Sequence, residues 1–125
     1  MIPISLVIKI HDLAIAKHGG LNGVRDESGL MSAIERPFSG FGDTEFYPSP
    51  EEKAAAIIES IVKNHPFMDG NKRTGFILMV HILNEHQKDI HAPEDDIYDF
   101  VIQVAAGHWD YDQILNWIQT HVVDL

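Results

Sequence analysis

Residues with usable chemistry crowd into one stretch, His65-Pro66-Phe67-Met68-Asp69-Gly70-Asn71-Lys72-Arg73-Thr74. Its composition reads as a helix end, a tight turn and a helix start. A helix start offers unpaired N–H groups and a partial positive charge, a ready seat for phosphate. Gly70 allows a ligand close to the backbone, Asn71 suits the cap or the turn, and Lys72 and Arg73 add two positive charges. Asp69 is a poor neighbour for a bare phosphate. It fits Mg²⁺, which takes one or two carboxylates with phosphate oxygens and water. Histidine changes charge near neutrality, so His65 is the natural general base for a hydroxyl nucleophile. Each residue alone has an ordinary structural explanation, and Phe67 is read as core that anchors the turn. Base, metal carboxylate and anion seat within ten residues together describe phosphoryl or nucleotidyl transfer, which is mainly positioning and charge stabilisation.

Helices must position these groups. Ser5 is placed to cap a helix that carries Leu6, Ile10 and Leu13 on one face and stops at Gly19-Gly20. Asp26 caps a short helix with Leu30 and Ile34, ended by Pro37. Residues 37–50, rich in Pro, Gly and aromatics, read as an irregular loop with at most a short extended piece. Ser49-Pro50-Glu51-Glu52 is a strong helix start, followed by a stripe of Ala54, Ile57, Ile58, Ile61 and Val62 that His65 continues. From Gly75 to Leu83 the chain is apolar but for His81. With its polar flanks this block predicts a helix of about fifteen residues, central to the molecule because it is apolar all round. Ile97, Phe100, Val101 and Val104 mark a helix after Pro93. Asp110 with Gln113 caps a last one bearing Ile114, Trp117 and Ile118. The expected fold is all-α, a compact bundle of about six helices around the 71–87 segment, with no alternation that demands a sheet.

The chain has 125 residues, of which 45% are hydrophobic and 22% charged, a globular composition suited to one domain over 1–125. Cysteine is absent, which excludes disulfides, thiolate metal sites and cysteine nucleophiles. Nine Lys and Arg against nineteen Asp and Glu give a formal charge of −10. General nucleic-acid binding and docking on anionic lipid are therefore disfavoured. No Lys or Arg follows Lys88, while Asp89, Glu94, Asp95, Asp96, Asp99, Asp110, Asp112 and Asp124 do. This reads as a solvated acidic face. The two cations of the central stretch are thus a local provision for an anion against the overall field. No targeting or membrane segment is visible, and a cytoplasmic protein is expected.

His65 to Thr74 resembles the Fic/Doc motif, His-Pro-Phe-x-(Asp/Glu)-Gly-Asn-(Gly/Lys)-Arg. A weaker likeness to the N-terminal half of death-on-curing (Doc) toxins runs through Gly19-Gly20, Gly23-Val24-Arg25-Asp26 and Leu30 to Pro37. The resemblance implies an all-α Fic fold in which the motif turn joins two central helices. Carried over by position, it implies that His65 activates a target hydroxyl and that Asp69 coordinates Mg²⁺. Gly70 and Asn71 form the anion-binding turn, and Lys72 and Arg73 meet the phosphates of ATP. The loop from Phe38 to Tyr47 lies where family members hold their target segment. His81, His86, His91, His108 and His121 have no motif support and are read as structural or surface residues.

Two departures bear on the reaction. Adenylyl-transferring Fic enzymes resemble Gly-Asn-Gly-Arg-x-x-Arg, whereas this chain has Lys72 at the second glycine and Phe76 at the second arginine. Both match the Doc branch, which transfers the γ-phosphate. Gly70, where that branch has alanine, keeps adenylyl transfer as the alternative. No inhibitory Ser/Thr-x-x-x-Glu-(Gly/Asn) helix is present, and in Doc-type toxins a separate antitoxin closes the site. The implied function is a toxin kinase that phosphorylates a Ser/Thr hydroxyl of a translation factor, by resemblance elongation factor Tu, and is held by a cognate antitoxin.

Overall fold

The computed structural model describes all 125 residues, Met1 to Leu125. Six α-helices follow in order: α1 (Ile4–His18), α2 (Glu27–Glu35), α3 (Pro50–Asn64), α4 (Asn71–Glu85), α5 (Glu94–Ala105) and α6 (Tyr111–His121). The all-α expectation holds. Local sequence sets three of the six helix starts through side-chain caps. The Ser49 hydroxyl accepts from the Glu52 amide at 3.1 Å while the Glu52 carboxylate accepts from the Ser49 amide at 3.2 Å. Asp110 and Gln113 repeat that reciprocal box at α6. Asp26 caps α2 through the Gly29 amide at 2.9 Å, and α1 ends at Gly19. Each such cap contributes about 1 kcal/mol.

Four expectations need correction. First, Pro3 rather than Ser5 precedes α1, and the buried face is Val7, His11, Ala14 and Ile15; Leu13 is exposed. Large apolar side chains alone do not define this face, which includes an alanine and an imidazole. Second, the central helix is α3, not the 71–87 segment. Every residue from Lys53 to Ile61 is buried, and α2, α4, α5 and α6 all pack on α3. Its polar members made it read as amphipathic, but they are paired inside. The Lys53 ammonium meets the Glu45 carboxylate at 2.9 Å and the Tyr47 carbonyl. Glu59 receives Arg36 at 2.8 Å and Lys63 at 3.1 Å. Third, Gly70, not Asn71, is the cap of α4, and Asn71 is buried in its first turn. Fourth, two short antiparallel pairs exist. Strands β1 (Gly40–Phe41) and β2 (Thr44–Glu45) make a hairpin within the 37–50 loop, and β3 (Lys88–Ile90) pairs with β4 (Val122–Asp124). Two or three residues per strand are too few to show alternation.

The core joins α1, α2, α3, α4, α5 and α6 through Val7, Leu30, Ile34, Ile57, Ile58, Ile61, Leu78, Met79, Leu83, Phe100, Ile114 and Ile118. Phe67, from the turn between α3 and α4, is fully buried in the same cluster. That turn is held by side chains. The Asn71 amide brackets Phe67, its Oδ1 accepting from the Phe67 N–H and its Nδ2 donating to the Phe67 carbonyl, both at 3.0 Å. The segment before α2 lies alongside: the Met68 amide donates to the Gly23 carbonyl, and the Arg25 and Asp26 amides to the Pro66 carbonyl. His65 closes α3 in the left-handed region, φ 49° and ψ 53°. For a residue with a Cβ that conformation costs roughly 1–2 kcal/mol. The Arg25 guanidinium holds the bend by donating to the Asn64 and His65 carbonyls at 2.9 and 2.8 Å.

Two stability predictions follow from this turn. Asn71→Ala strands the buried Phe67 N–H and carbonyl and lowers unfolding free energy by about 2–4 kcal/mol in urea titration. An unchanged midpoint would show that the bracket carries no load. His65→Gly is more stable than His65→Ala by about 1 kcal/mol, because both lose the imidazole and only one keeps the strained backbone. Equal stability would mean the backbone at 65 is relaxed.

Candidate active site

The turn places its polar groups around a cleft of about 810 Å³ between the end of α3, the start of α4 and one side of α5. His65, Asp69, Gly70, Asn71, Lys72 and Arg73 all line it, so every site residue named from the sequence reaches one cavity. His65 owes its exposure to the left-handed bend, which turns the chain out of α3 just before Phe67 plunges into the core.

Gly70 sets the geometry of the first turn of α4. Its φ is +76°, and a Cβ there would lie 3.1 Å from the Ile15 side chain, so glycine suits both backbone and space. No side chain caps α4. Intrahelical bonding begins with the Thr74 amide, which donates to the Gly70 carbonyl at 2.9 Å. The amides of Asn71, Lys72 and Arg73 therefore have no partner within the helix, which is the arrangement that favours an anion. Asn71 offers this cleft only its backbone, since its side chain is spent on Phe67. Lys72 and Arg73 are exposed. His18 stands in the same electropositive neighbourhood. Loss of hydration, then the charges of Arg73 and Lys17, push its imidazole below the ordinary histidine value.

The Asp69 carboxylate is held at both ends. Oδ1 accepts from the Gly70 amide at 2.9 Å and Oδ2 from the Leu21 amide at 3.3 Å. No three His, Asp or Glu side chains converge closely enough to cage a metal by themselves. One exposed, pre-set carboxylate beside an anion seat suits a Mg²⁺ that arrives with phosphate oxygens and keeps its waters.

Three contributions to the site escaped sequence reasoning. The α5 side of the cleft brings Glu94, Asp95, Ile97, Tyr98 and Val101 against the motif, beside Phe76 of α4, which the sequence marks at the second arginine position. Spacing marks Ile97 and Val101 as helix residues, but nothing in the sequence marks the α5 residues as part of the site. Arg25 was visible only as part of a resemblance, not as the clamp on α3. His11, on the inner face of α1, stacks on Phe67 with ring centroids 3.8 Å apart and 6° between planes, and bonds the Asp69 carbonyl at 2.7 Å. Its signal was a histidine on an otherwise apolar helical stripe. His81, His86 and His121 fit their structural reading: His81 meets Glu85 at 2.8 Å, and His86 and His121 bond the Ile82 and Trp117 carbonyls one turn back.

Comparison with known proteins agrees with this geometry. The model of the Fic/DOC family matches residues 2–83, from α1 through the turn to the last residues of α4. A curated protein of Mycolicibacterium smegmatis named Toxin Doc is 35% identical over 99 residues, covering 77% of this chain and 75% of that protein. The matched span holds the His65 bend, the Phe67 anchor, the Gly70 seat and the helix under them, and on these grounds the chain belongs to the Fic/DOC family.

Proposed function

We propose that this chain is a Doc-type toxin that moves the γ-phosphate of Mg-ATP to a Ser/Thr hydroxyl of a protein target. The observation that supports it best is the convergence of His65, Asp69 and the open first turn of α4 on one cleft. In this reading the His65 imidazole takes the proton of the target hydroxyl as its oxygen attacks the γ-phosphorus. The bond from that phosphorus to the β,γ-bridging oxygen breaks, and ADP leaves. The amides of Asn71, Lys72 and Arg73, with the Lys72 and Arg73 side chains, bear the phosphate charge. Asp69 would hold Mg²⁺, which when bound neutralises charge on the phosphate oxygens.

Lys72 and Phe76 support phosphate transfer over AMP transfer. The lysine occupies the space next to the backbone at the helix start. Phe76 presents an apolar ring to the cleft where a guanidinium would clamp distal phosphates. Gly70 supports a second reading, adenylyl transfer, because the Doc branch carries alanine there. The target proposed by resemblance is elongation factor Tu, the partner is a cognate antitoxin, and the compartment is the cytoplasm. No helix is long and apolar enough to cross a membrane. With a formal charge of −10, nucleic acid is not proposed as a ligand.

The test uses purified protein, elongation factor Tu and ATP labelled at either the γ or the α position. Label enters the target from the γ position only, and His65→Ala lowers the rate by about 10²–10⁴. Label from the α position would establish adenylyl transfer instead. Chelation by EDTA stops transfer, and added Mg²⁺ restores it; transfer that persists in EDTA would remove Asp69 from its proposed role. In growing cells the wild-type chain arrests growth and His65→Ala does not. Equal toxicity would separate the toxic effect from this site.

A further inference from the structure

We propose that His11 is a positioning residue for Asp69: it fixes the motif backbone from below so that the carboxylate is presented in one orientation. This rests on the reading of Asp69 as the metal-holding carboxylate. His11 is the buried histidine of the fold, 1% exposed. A ring at this place needs no nitrogen in order to pack, and phenylalanine would stack on Phe67 as well. Nε2 is spent on one atom of the motif, the Asp69 carbonyl at 2.7 Å, while Nδ1 lies 3.6 Å from the carboxylate of the exposed Asp12. A carbonyl only accepts, so Nε2 carries the hydrogen.

The loop that follows α1 completes the frame. The Leu21 amide reaches Asp69 Oδ2. Gly20, at φ +119°, has no space for a side chain, since a Cβ would lie 2.7 Å from Oδ2 and 3.0 Å from Ile15 Cδ1. One helix and its exit thus hold Asp69 at its carbonyl, at one carboxylate oxygen and by close approach. The carboxylate keeps about half of its roughly four lone-pair sites free after its two amide bonds. A group that touches neither substrate nor metal but orients the residue that does is commonly worth about 10- to 100-fold in metal affinity.

The test measures ¹⁵N relaxation of the full chain as wild type, His11→Phe and His11→Gln. Phenylalanine keeps the stack and removes the donor, whereas glutamine keeps a donor and removes the ring. In His11→Phe the order parameters of Leu21, Asp69 and Gly70 fall from the rigid range near about 0.85 to below about 0.6, while Ile58 and Leu78 stay rigid. His11→Gln restores all three. The proposal is overturned if the three amides stay rigid in His11→Phe, if both variants loosen them equally, or if α3 and α4 loosen together. Should His11→Phe not fold, His11→Met against His11→Gln makes the same comparison of donor removed and donor kept. A second arm measures, by calorimetry in a His65→Ala background, how much Mg²⁺ strengthens ATP binding. That gain falls by about tenfold or more with His11→Phe and is kept with His11→Gln. If the gain is absent from the His65→Ala parent itself, the metal reading of Asp69 fails, and the relaxation result alone decides the role of His11.

Discussion

Phe67 is fully buried, yet it lies in a six-residue turn of which only it and Pro66 are buried, while His65, Met68 and Asp69 are exposed. Drawing one ring into the core pulls its backbone N–H and carbonyl out of water, and each needs a partner or costs about 1–3 kcal/mol. Asn71 meets both with a single side-chain amide. The ring's face is covered by His11, and the adjoining backbone pairs with Val24 and its neighbours. Everything functional in the cleft hangs from this anchor. His65 lies two residues before it and Asp69 two residues after. Had Phe67 been exposed, the turn would be a surface loop, and neither residue would keep its place relative to α4.

Charge works against the site at long range and for it at short range. The chain carries a formal −10, which repels a polyphosphate at a distance. At physiological ionic strength that repulsion is screened beyond about 8 Å. Within that radius the helix start, Lys72 and Arg73 dominate. Besides Asp69, the acids that line the same cleft are Glu94 and Asp95, on its α5 side. Their position has a structural cause, since Glu94, Asp95 and Asp96 occupy the first turn of α5, which follows Pro93 and lacks a side-chain cap. Carboxylates there offset the positive end of the helix. The cleft consequently has a cationic side on α4 and an anionic one on α5.

Contiguous chemistry was legible in the sequence, and chemistry assembled from afar was not. The motif's six site residues fall within nine consecutive positions, so spacing alone brought them together. Caps at Asp26, Ser49 and Asp110 were equally plain, because a cap is a local bargain between a side chain and amides two or three residues on. Burial orientation was harder. For α1, the stripe Leu6, Ile10 and Leu13 competed with Val7, His11, Ala14 and Ile15, and tertiary contact with Phe67 decided for the second. For α3, Lys53 and Glu59 are buried because Glu45 and Arg36 pair with them. Those partners come from 8 and 23 residues away, and no local pattern announces them. The α5 side of the cleft stands further off still and carries no mark of its own.

The two left-handed residues of the turn explain why the His65 imidazole and the open first turn of α4 belong to one rigid unit. His65 at φ 49° ends α3 and Gly70 at φ 76° begins α4. Between them the chain reverses, buries Phe67 and resumes as a helix, leaving little slack. Both helices are then locked by the same core, through Ile57, Ile58 and Ile61 on one side and Leu78, Met79 and Leu83 on the other. The spacing between the imidazole and the unpaired amides of α4 is therefore set by helix packing and not by a loop. Close-packed interiors resist deformation, so the separation survives side-chain exchange on the surface and is lost only when the core itself is disturbed. Placing His65 on a strained helix end carries a penalty of roughly 1–2 kcal/mol, which the Arg25 clamp and the Phe67 anchor offset. A glycine at 65 would relax the backbone and forfeit the imidazole, so stability and chemistry pull in opposite directions at that one position.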